Sequence, residues 1–334
     1  MTNLTLEMIA ETAGVSRSTV SRVVNDHPNV RPEVRERVQK VINETGYQPH
    51  AAARSLASRR THMLGLVIPR SVQHFFSDPY FPRLTQGIAE ACNAADYTLS
   101  LFLLHTADDE KKLIPRISRR GMLDGIIIQS THLRDSVIPD ISEGQVPFLV
   151  AGRPMNAPNA SFIDVDNVSG AMKAVQHLIG LGRRRIATVA GSPDTAAGLD
   201  RLTGYRRALK ENGLAIDEDL ITAGDFTEPG GYEAAGRLLE RQPDAIFCGS
   251  DMMAVGVLRR LKEAGVRVPE EISIVGYDDL PPARLTDPPL TTIRQPIRRF
   301  GVRAVQTLTE MVSHPNQGQV RVILDATELV VRGT

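Results

Sequence analysis

The stretch from Ala10 to Asn25, AETAGVSRSTVSRVVN, constrains this chain more than any other, because it spells two short helices joined by a tight turn. Leu6, Ile9, Ala10 and Ala13 recur at steps of three and four and so share one helix face. Gly14 follows directly and can end that helix in the left-handed region without a steric penalty. Ser16 is a good N-cap, and the helix it opens turns Val20, Val23 and Val24 inward while Arg17, Ser18, Ser21 and Arg22 point outward. An outer face of hydroxyls and guanidiniums suits a DNA groove. The helix N-terminus favours phosphate, and an arginine fork pairs with guanine. An ordinary αα-hairpin with a solvated face fits the same apolar spacing.

Pro32 suits the first position of a third helix, on which Val34, Val38, Val41 and Ile42 form a stripe that Gly46 terminates. Arg31, Arg35, Arg37 and Lys40 alternate with Glu33 and Glu36, so part of this charge is a self-paired, solvated face. From Leu4 to Leu56 the chain resembles the lactose-repressor/galactose-repressor (LacI) family of transcription regulators. The resemblance rests on Ala13-Gly14-Val15-Ser16, Thr19-Val20-Ser21-Arg22-Val23-Val24-Asn25, Gly46-Tyr47-Gln48-Pro49 and Ala53-Arg54-Ser55-Leu56-Ala57. It implies that Thr5, Ser16, Arg17, Ser18, Thr19, Ser21, Arg22 and Asn25 meet operator DNA. It also implies a hinge helix within His50 to Ser58, pairing with its twofold mate over the minor groove, with Leu56 as an apolar wedge and Arg54 beside it. On its own this alanine-rich segment is too short for a stable helix and equally describes a tether. His50 departs from the Asn common there.

Charge follows the same division. The chain has 39 Lys/Arg against 39 Asp/Glu, yet Met1 to His62 holds nine against six, so the basic excess sits where nucleic acid is expected. Cys92 and Cys248 are too few for a disulfide framework or a clustered metal site, and no cofactor motif is present. Without an apolar leader or an 18-residue apolar run, the expectation is a cytoplasmic protein with no membrane contact.

After Thr61, short apolar runs alternate with longer amphipathic segments, the pattern of βαβ units around a parallel sheet. Strands are expected at Met63–Val67, Leu99–Leu103, Gly125–Ile128, Pro147–Val150, Ile186–Val189, Ala245–Cys248 and Ile272–Val275. Helices are expected around Arg83–Ala94, Asp109–Arg119, Val168–Leu181, Leu202–Asn212, Gly231–Glu240, Ala254–Ala264 and Arg298–Met311. The family resemblance continues through Asp166-Asn167, His177-Leu178, Gly182, Arg201-Leu202-Thr203-Gly204-Tyr205, Ser250-Asp251-Met252-Met253-Ala254, Gly276-Tyr277-Asp278-Asp279 and Leu290 to Pro296. It implies an α/β, two-lobed body like the periplasmic sugar-binding proteins, behind an all-α helix-turn-helix domain and its hinge helix. The resulting division is 1–49 for DNA binding, 50–60 for the hinge and 61–334 for effector binding and dimerisation. Within the body, the N-lobe takes about 61–161 plus 292–324 and the C-lobe about 162–291 plus 325–334.

Ligands of parallel α/β sheets bind beyond the carboxyl ends of the strands. By resemblance Arg201, in the loop entering a helix, is the ligand arginine and Asp278 a ligand-contacting acid; an ion pair and a self-capped turn are their structural alternatives. Ser250 and Asp251 end a strand and either meet hydroxyls or cap the next helix. Tyr80 and Phe81, just before the first helix of the N-lobe, match an aromatic pair that stacks on ligands, or else pack in the core. Arg153, Arg70 and Asp194 are weaker candidates, whereas Asp166 and His177 are structural. Purine-responsive members place polar contacts where this chain has Thr195 and Ala197, which favours a sugar.

No G-x-G-x-x-G, G-x-x-x-x-G-K-[ST], H-E-x-x-H or G-x-S-x-G motif supports an enzyme on this body. A solute-binding protein without DNA function would lack the first module. The sequence therefore predicts a homodimeric repressor of carbohydrate-use genes acting on palindromic operators, without the heptad tail that holds tetramers together. If Leu56 is the hinge wedge, Leu56→Ala should weaken operator binding and bending while leaving ligand binding and dimerisation intact. Unchanged operator affinity would make the segment a tether.

Overall fold

Runs of apolar residues that are buried on both sides of a strand determine the body of the molecule. A computed structural model describes residues 4–24, 27–47, 60–69, 72–129, 136–315, 318–325 and 327–334. The expected positions Asn25, Arg54, Leu56 and Arg70, and all of the hinge except Arg60, lie outside these residues. In β1 (Met63–Pro69), Leu64, Leu66 and Ile68 enter one core cluster and Val67 the other. The period-two alternation thus buries both faces, as a helix-covered parallel sheet requires.

The first lobe is a six-stranded sheet in the order β11-β5-β4-β3-β1-β2. It uses β2 (Thr98–Leu104), β3 (Gly125–Ile128), β4 (Phe148–Ala151), β5 (Phe162–Val165) and β11 (Arg321–Leu324), with every adjacent pair parallel. Its helices are α4 (Val72–Ser77), α5 (Tyr80–Ala94), α6 (Ala107–Ile117), α7 (Val137–Ser142) and α12 (Ile297–Ser313). The second lobe repeats the plan in the order β12-β10-β9-β8-β6-β7. Its strands are β6 (Ile186–Ala190), β7 (Ile221–Ala223), β8 (Ala245–Cys248), β9 (Ser273–Asp278), β10 (Thr291–Arg294) and β12 (Glu328–Val330), of which only β12 runs antiparallel to its neighbour. Around them lie α8 (Asn167–Gly180), α9 (Ala196–Glu211), α10 (Glu228–Leu239) and α11 (Asp251–Glu263). Among the described residues no helix is long and apolar enough to cross a membrane.

The expected α/β two-lobed class is present, with two shifts in where the chain changes lobe. Phe162–Val165 still pairs with β4 and β11, so the chain leaves the first lobe after Val165 instead of near Phe162. Thr291–Arg294 pairs with β9 in the second lobe, so the return comes after Arg294 instead of near Thr291. In both places a short strand completes its ladder before the chain departs. Asp166 then caps α8 by accepting the Ser169 N–H at 2.9 Å, the structural part expected of it.

Helices α8 and α9 cross at Gly204, where an added Cβ would collide with the Val168 carbonyl oxygen and approach Ala171 Cβ to 2.7 Å. Overpacked buried contacts typically cost about 1–3 kcal/mol, so Gly204→Ala should lower the unfolding free energy by that order, seen as a lower urea midpoint. An unchanged midpoint would show that the two helices can separate freely.

Candidate functional site

At the N-terminal end, α1 (Leu6–Ala13) begins at Thr5, whose side chain accepts the Met8 N–H at 3.4 Å, and ends at Gly14 with φ 63°. Ser16 caps α2 (Arg17–Val24) by accepting the Thr19 N–H at 3.2 Å, and its hydroxyl lies 2.8 Å from those of Ser18 and Thr19. Ile9, Ala10, Ala13, Val20 and Val23 close a small core against Val38 and Val41 of α3 (Pro32–Thr45), with Val24 at its margin. Burial of that face leaves Thr5, Ser16, Arg17, Ser18 and Arg22 exposed and Thr19 and Ser21 half-buried. Arg17 Nε lies 2.9 Å from Glu7 Oε1, an exposed pair across the two helices that holds the guanidinium on the outer face. Such pairs are weak enough for a DNA acceptor to displace.

Between the lobes lies a cavity of about 760 Å³. Tyr80, Phe81, Arg201, Ser250 and Asp278 line it, together with Asp194. Tyr80 and Phe81 lie in the first turn of α5, which starts earlier than expected at Tyr80, with the Tyr80 N–H donating to Asp78 at 2.9 Å. Arg201 is in the second turn of α9, not in a loop, because Thr195 caps the helix at Ala196 by accepting the Gly198 N–H at 3.1 Å. Its Nε donates to Asn167 Oδ1 at 3.0 Å, and another nitrogen donates to the Gly249 carbonyl. The third approaches Asp278 Oδ1 at 3.5 Å, and the guanidinium lies 3.8 Å above the Tyr277 ring.

Arg153 and Asp251 do not line the cavity. Arg153 forms an ion pair with Asp200 of α9, linking a loop of the first lobe to a helix of the second. Asp251 is fully buried beneath the cavity, where it accepts the Leu280 N–H at 2.7 Å and the Thr292 hydroxyl. Ser250, not Asp251, caps α11 by accepting the Met253 N–H at 3.2 Å.

The cavity wall also carries Asp78, Gln129, Asp164, Asn167, Ser192, Asp225, Phe226 and Gln295, which the sequence reading did not single out. Asp164 accepts the backbone N–H groups of Arg153 and Val165 at 3.0 and 2.8 Å, and burial pushes its carboxyl up to about 6. Burial likewise raises Asp278 to about 7, outweighing the opposing pull of Arg201. Asp251 is also held well above the usual carboxylate range, by burial and then by Asp278. The Gln129 carbonyl oxygen is buried without a partner among the described residues, leaving an open acceptor on the wall. Phe226, at φ 66°, presses its ring against Gly191, where a Cβ would not fit, and extends toward Arg201. Aromatic faces thus come from both lobes, and five carboxylates (Asp78, Asp164, Asp194, Asp225 and Asp278) surround one guanidinium already engaged on three sides.

Against known proteins, residues 5–50 match the model for bacterial regulatory proteins, lacI family, and residues 175–334 match the periplasmic binding protein-like domain. The chain is 39% identical over 332 residues to the HTH-type transcriptional regulator CelR of Thermobifida fusca, covering 98% of this chain and 97% of the relative. It is 35% identical over 335 residues to the HTH-type transcriptional repressor PurR of Haemophilus influenzae (strain PittEE), with the same coverage. A solved CelR–cellobiose complex aligns over 99% of both chains at 37% identity and a TM-score of 0.78. The Lac repressor dimer bound to operator and the anti-inducer ONPF aligns at 27% identity and a TM-score of 0.83, over 99% of this chain and 98% of that one.

The raised Asp278 carboxyl has a stability consequence. The folded state holds its proton more tightly than the unfolded chain, so ionisation costs stability as pH rises from about 4 to about 7. Asp278→Asn removes this penalty. Its stability relative to the parent should therefore improve between pH 5 and pH 8 by an amount on the order of 1–3 kcal/mol. Parallel denaturation curves at the two pH values check this, and an equal difference at both would mean that Asp278 is ionised throughout.

Proposed function

The chain belongs to the lacI family of bacterial regulatory proteins, and on that premise we propose that its transcriptional control is exerted by an uncharged sugar of disaccharide size bound between the lobes. The protein is a DNA-binding transcriptional regulator and not an enzyme. The observation that carries the ligand assignment is the cavity wall, with five carboxylates, an open amide acceptor and aromatic faces from both lobes. Sugar hydroxyls donate and accept, and their C–H faces stack on rings, whereas an anion would meet repulsion. The cellobiose bound by the CelR relative is of the same class. A purine is less suited, because the Thr195 hydroxyl is already spent on capping α9 and on the Ser192 carbonyl at 2.8 Å.

Tyr80, Phe81 and Asp164 belong to the first lobe and Arg201, Phe226 and Asp278 to the second, so a ligand touching both sets favours one lobe orientation. That orientation sets the spacing of two recognition helices in a homodimer on a palindromic operator, and the Lac repressor relative was solved as a dimer bound to operator. The protein works in the cytoplasm, where the operator is. Ser16, Arg17, Ser18 and Arg22 are the described groups that reach DNA, with Thr5, Thr19 and Ser21 beside them.

Two measurements test this reading. Arg17→Ala should cost about 1–3 kcal/mol of operator affinity at matched salt and relax preference at one base position per half-site. An equal loss on every sequence would assign Arg17 to phosphate. In calorimetry with cellobiose and other neutral disaccharides, the parent should bind at least one sugar and change its operator affinity. Phe226→Ala, which removes an aromatic face of the wall but leaves the Arg201–Asp278 contact in place, should lose that response while keeping ligand-free operator affinity. Binding of phosphorylated sugars or purines in place of neutral sugars would overturn the ligand class.

A further inference from the structure

Asp278 and Asp279 are adjacent residues with positive φ, 115° and 55°, and their carboxylates go to different partners. Asp278 faces the ligand cavity. Asp279 lines a second cavity of about 620 Å³, and Gln295 stands on the wall of both. The second cavity is bounded by five arginines, Arg83, Arg284, Arg294, Arg298 and Arg299, and by one carboxylate, Asp279. That carboxylate is already held by Arg294 at 2.8 Å and by Arg332. Arg294 also reaches Glu328 at 3.1 Å, and Arg298 reaches Glu90 at 2.7 Å.

Of the remaining three arginines, none has a carboxylate to itself among the described residues. Arg83 donates to the Asp279 backbone carbonyl at 2.9 Å, a neutral partner. Arg284 makes only a long ion pair, 3.7 Å, to the Asp279 carboxylate that Arg294 and Arg332 already hold, and Arg299 has no ion pair among the described residues. The α12 helix opens into the same space with no side-chain cap, which leaves its first N–H groups available there. Guanidiniums crowded into one concavity repel one another unless an anion enters, and planar forks suit phosphate oxygens.

We propose that this cavity is a second ligand site, for a small polyanion of the phosphorylated-metabolite class. Arg83 and Arg299 belong to the first lobe and Arg284 and Arg294 to the second, so the anion bridges the lobes as the sugar does. Gln295 donates to Asp278 from the wall of both cavities, and this contact couples the two sites. The regulator would then integrate a neutral and an anionic signal through one lobe orientation.

The test uses the full chain and inorganic pyrophosphate in a calorimetric titration without sugar, so its outcome is independent of the cleft ligand. Arg299→Glu and Arg284→Glu alter exposed side chains, and their melting temperatures without pyrophosphate report folding directly. The parent should bind pyrophosphate saturably and more tightly than orthophosphate, each variant at least tenfold more weakly, and Arg22→Ala like the parent. No saturable binding, equal affinity in Arg299→Glu, or loss only in Arg22→Ala would overturn the proposal. Should Arg284→Glu fail to fold, Arg299→Glu decides alone.

Discussion

The buried contact between Arg201 and Asp278 is the interaction on which the arrangement of the cleft depends. Taking both charges out of water is costly, and their attraction at 3.5 Å offsets this only with further hydrogen bonds. Asn167, the Gly249 carbonyl and Gln295 supply them, and the guanidinium also stacks on the Tyr277 ring. Each of these groups comes from a different strand end or helix start, so satisfying one guanidinium and one carboxylate aligns α8, α9, β8, β9 and the crossing after β10. The same burial raises the Asp278 carboxyl, making it a group that gains from a donor brought by a ligand.

Charge is sorted across the lobe boundary. The cleft is acid-rich and the cavity around Asp279 is arginine-rich, although the whole chain carries no net charge. Two neighbouring aspartates in strained backbone conformations mark the border between them. Neutral composition therefore conceals two environments of opposite sign within one residue of each other.

Much of this was legible in the sequence where a strong local pattern existed. The helix-turn-helix follows from the apolar spacing of α1 and α2 with Gly14 and Ser16, and β1, β3 and β8 follow from apolar runs, as does β6 on either side of Thr188. Strands β5, β7, β10, β11 and β12 span three or four residues and each contains a polar or charged residue, so they lack the unbroken apolar run that marks the equally short β3 and β8. Arg201 was identified by resemblance but misplaced in a loop, because the helix boundary depended on Thr195 as a cap. Phe226 carried no local signal, since its place in the wall arises from a positive φ after a three-residue strand. Asp164 was not noticed, and Gln295, though part of the family block, was given no place in the cleft, for a related reason: each is polar beside a lobe crossing, and only the ladder register shows that those crossings come late.

The central claim is that sugar and operator are linked through one lobe equilibrium, and linkage is reciprocal. Its most direct test is the sugar's dissociation constant measured on the protein free and then saturated with operator duplex at the same salt. The two values should differ by about 5- to 150-fold, as allosteric coupling of 1–3 kcal/mol requires, and by the same factor as the operator's affinity with and without sugar. Identical sugar affinity in both states would contradict the account.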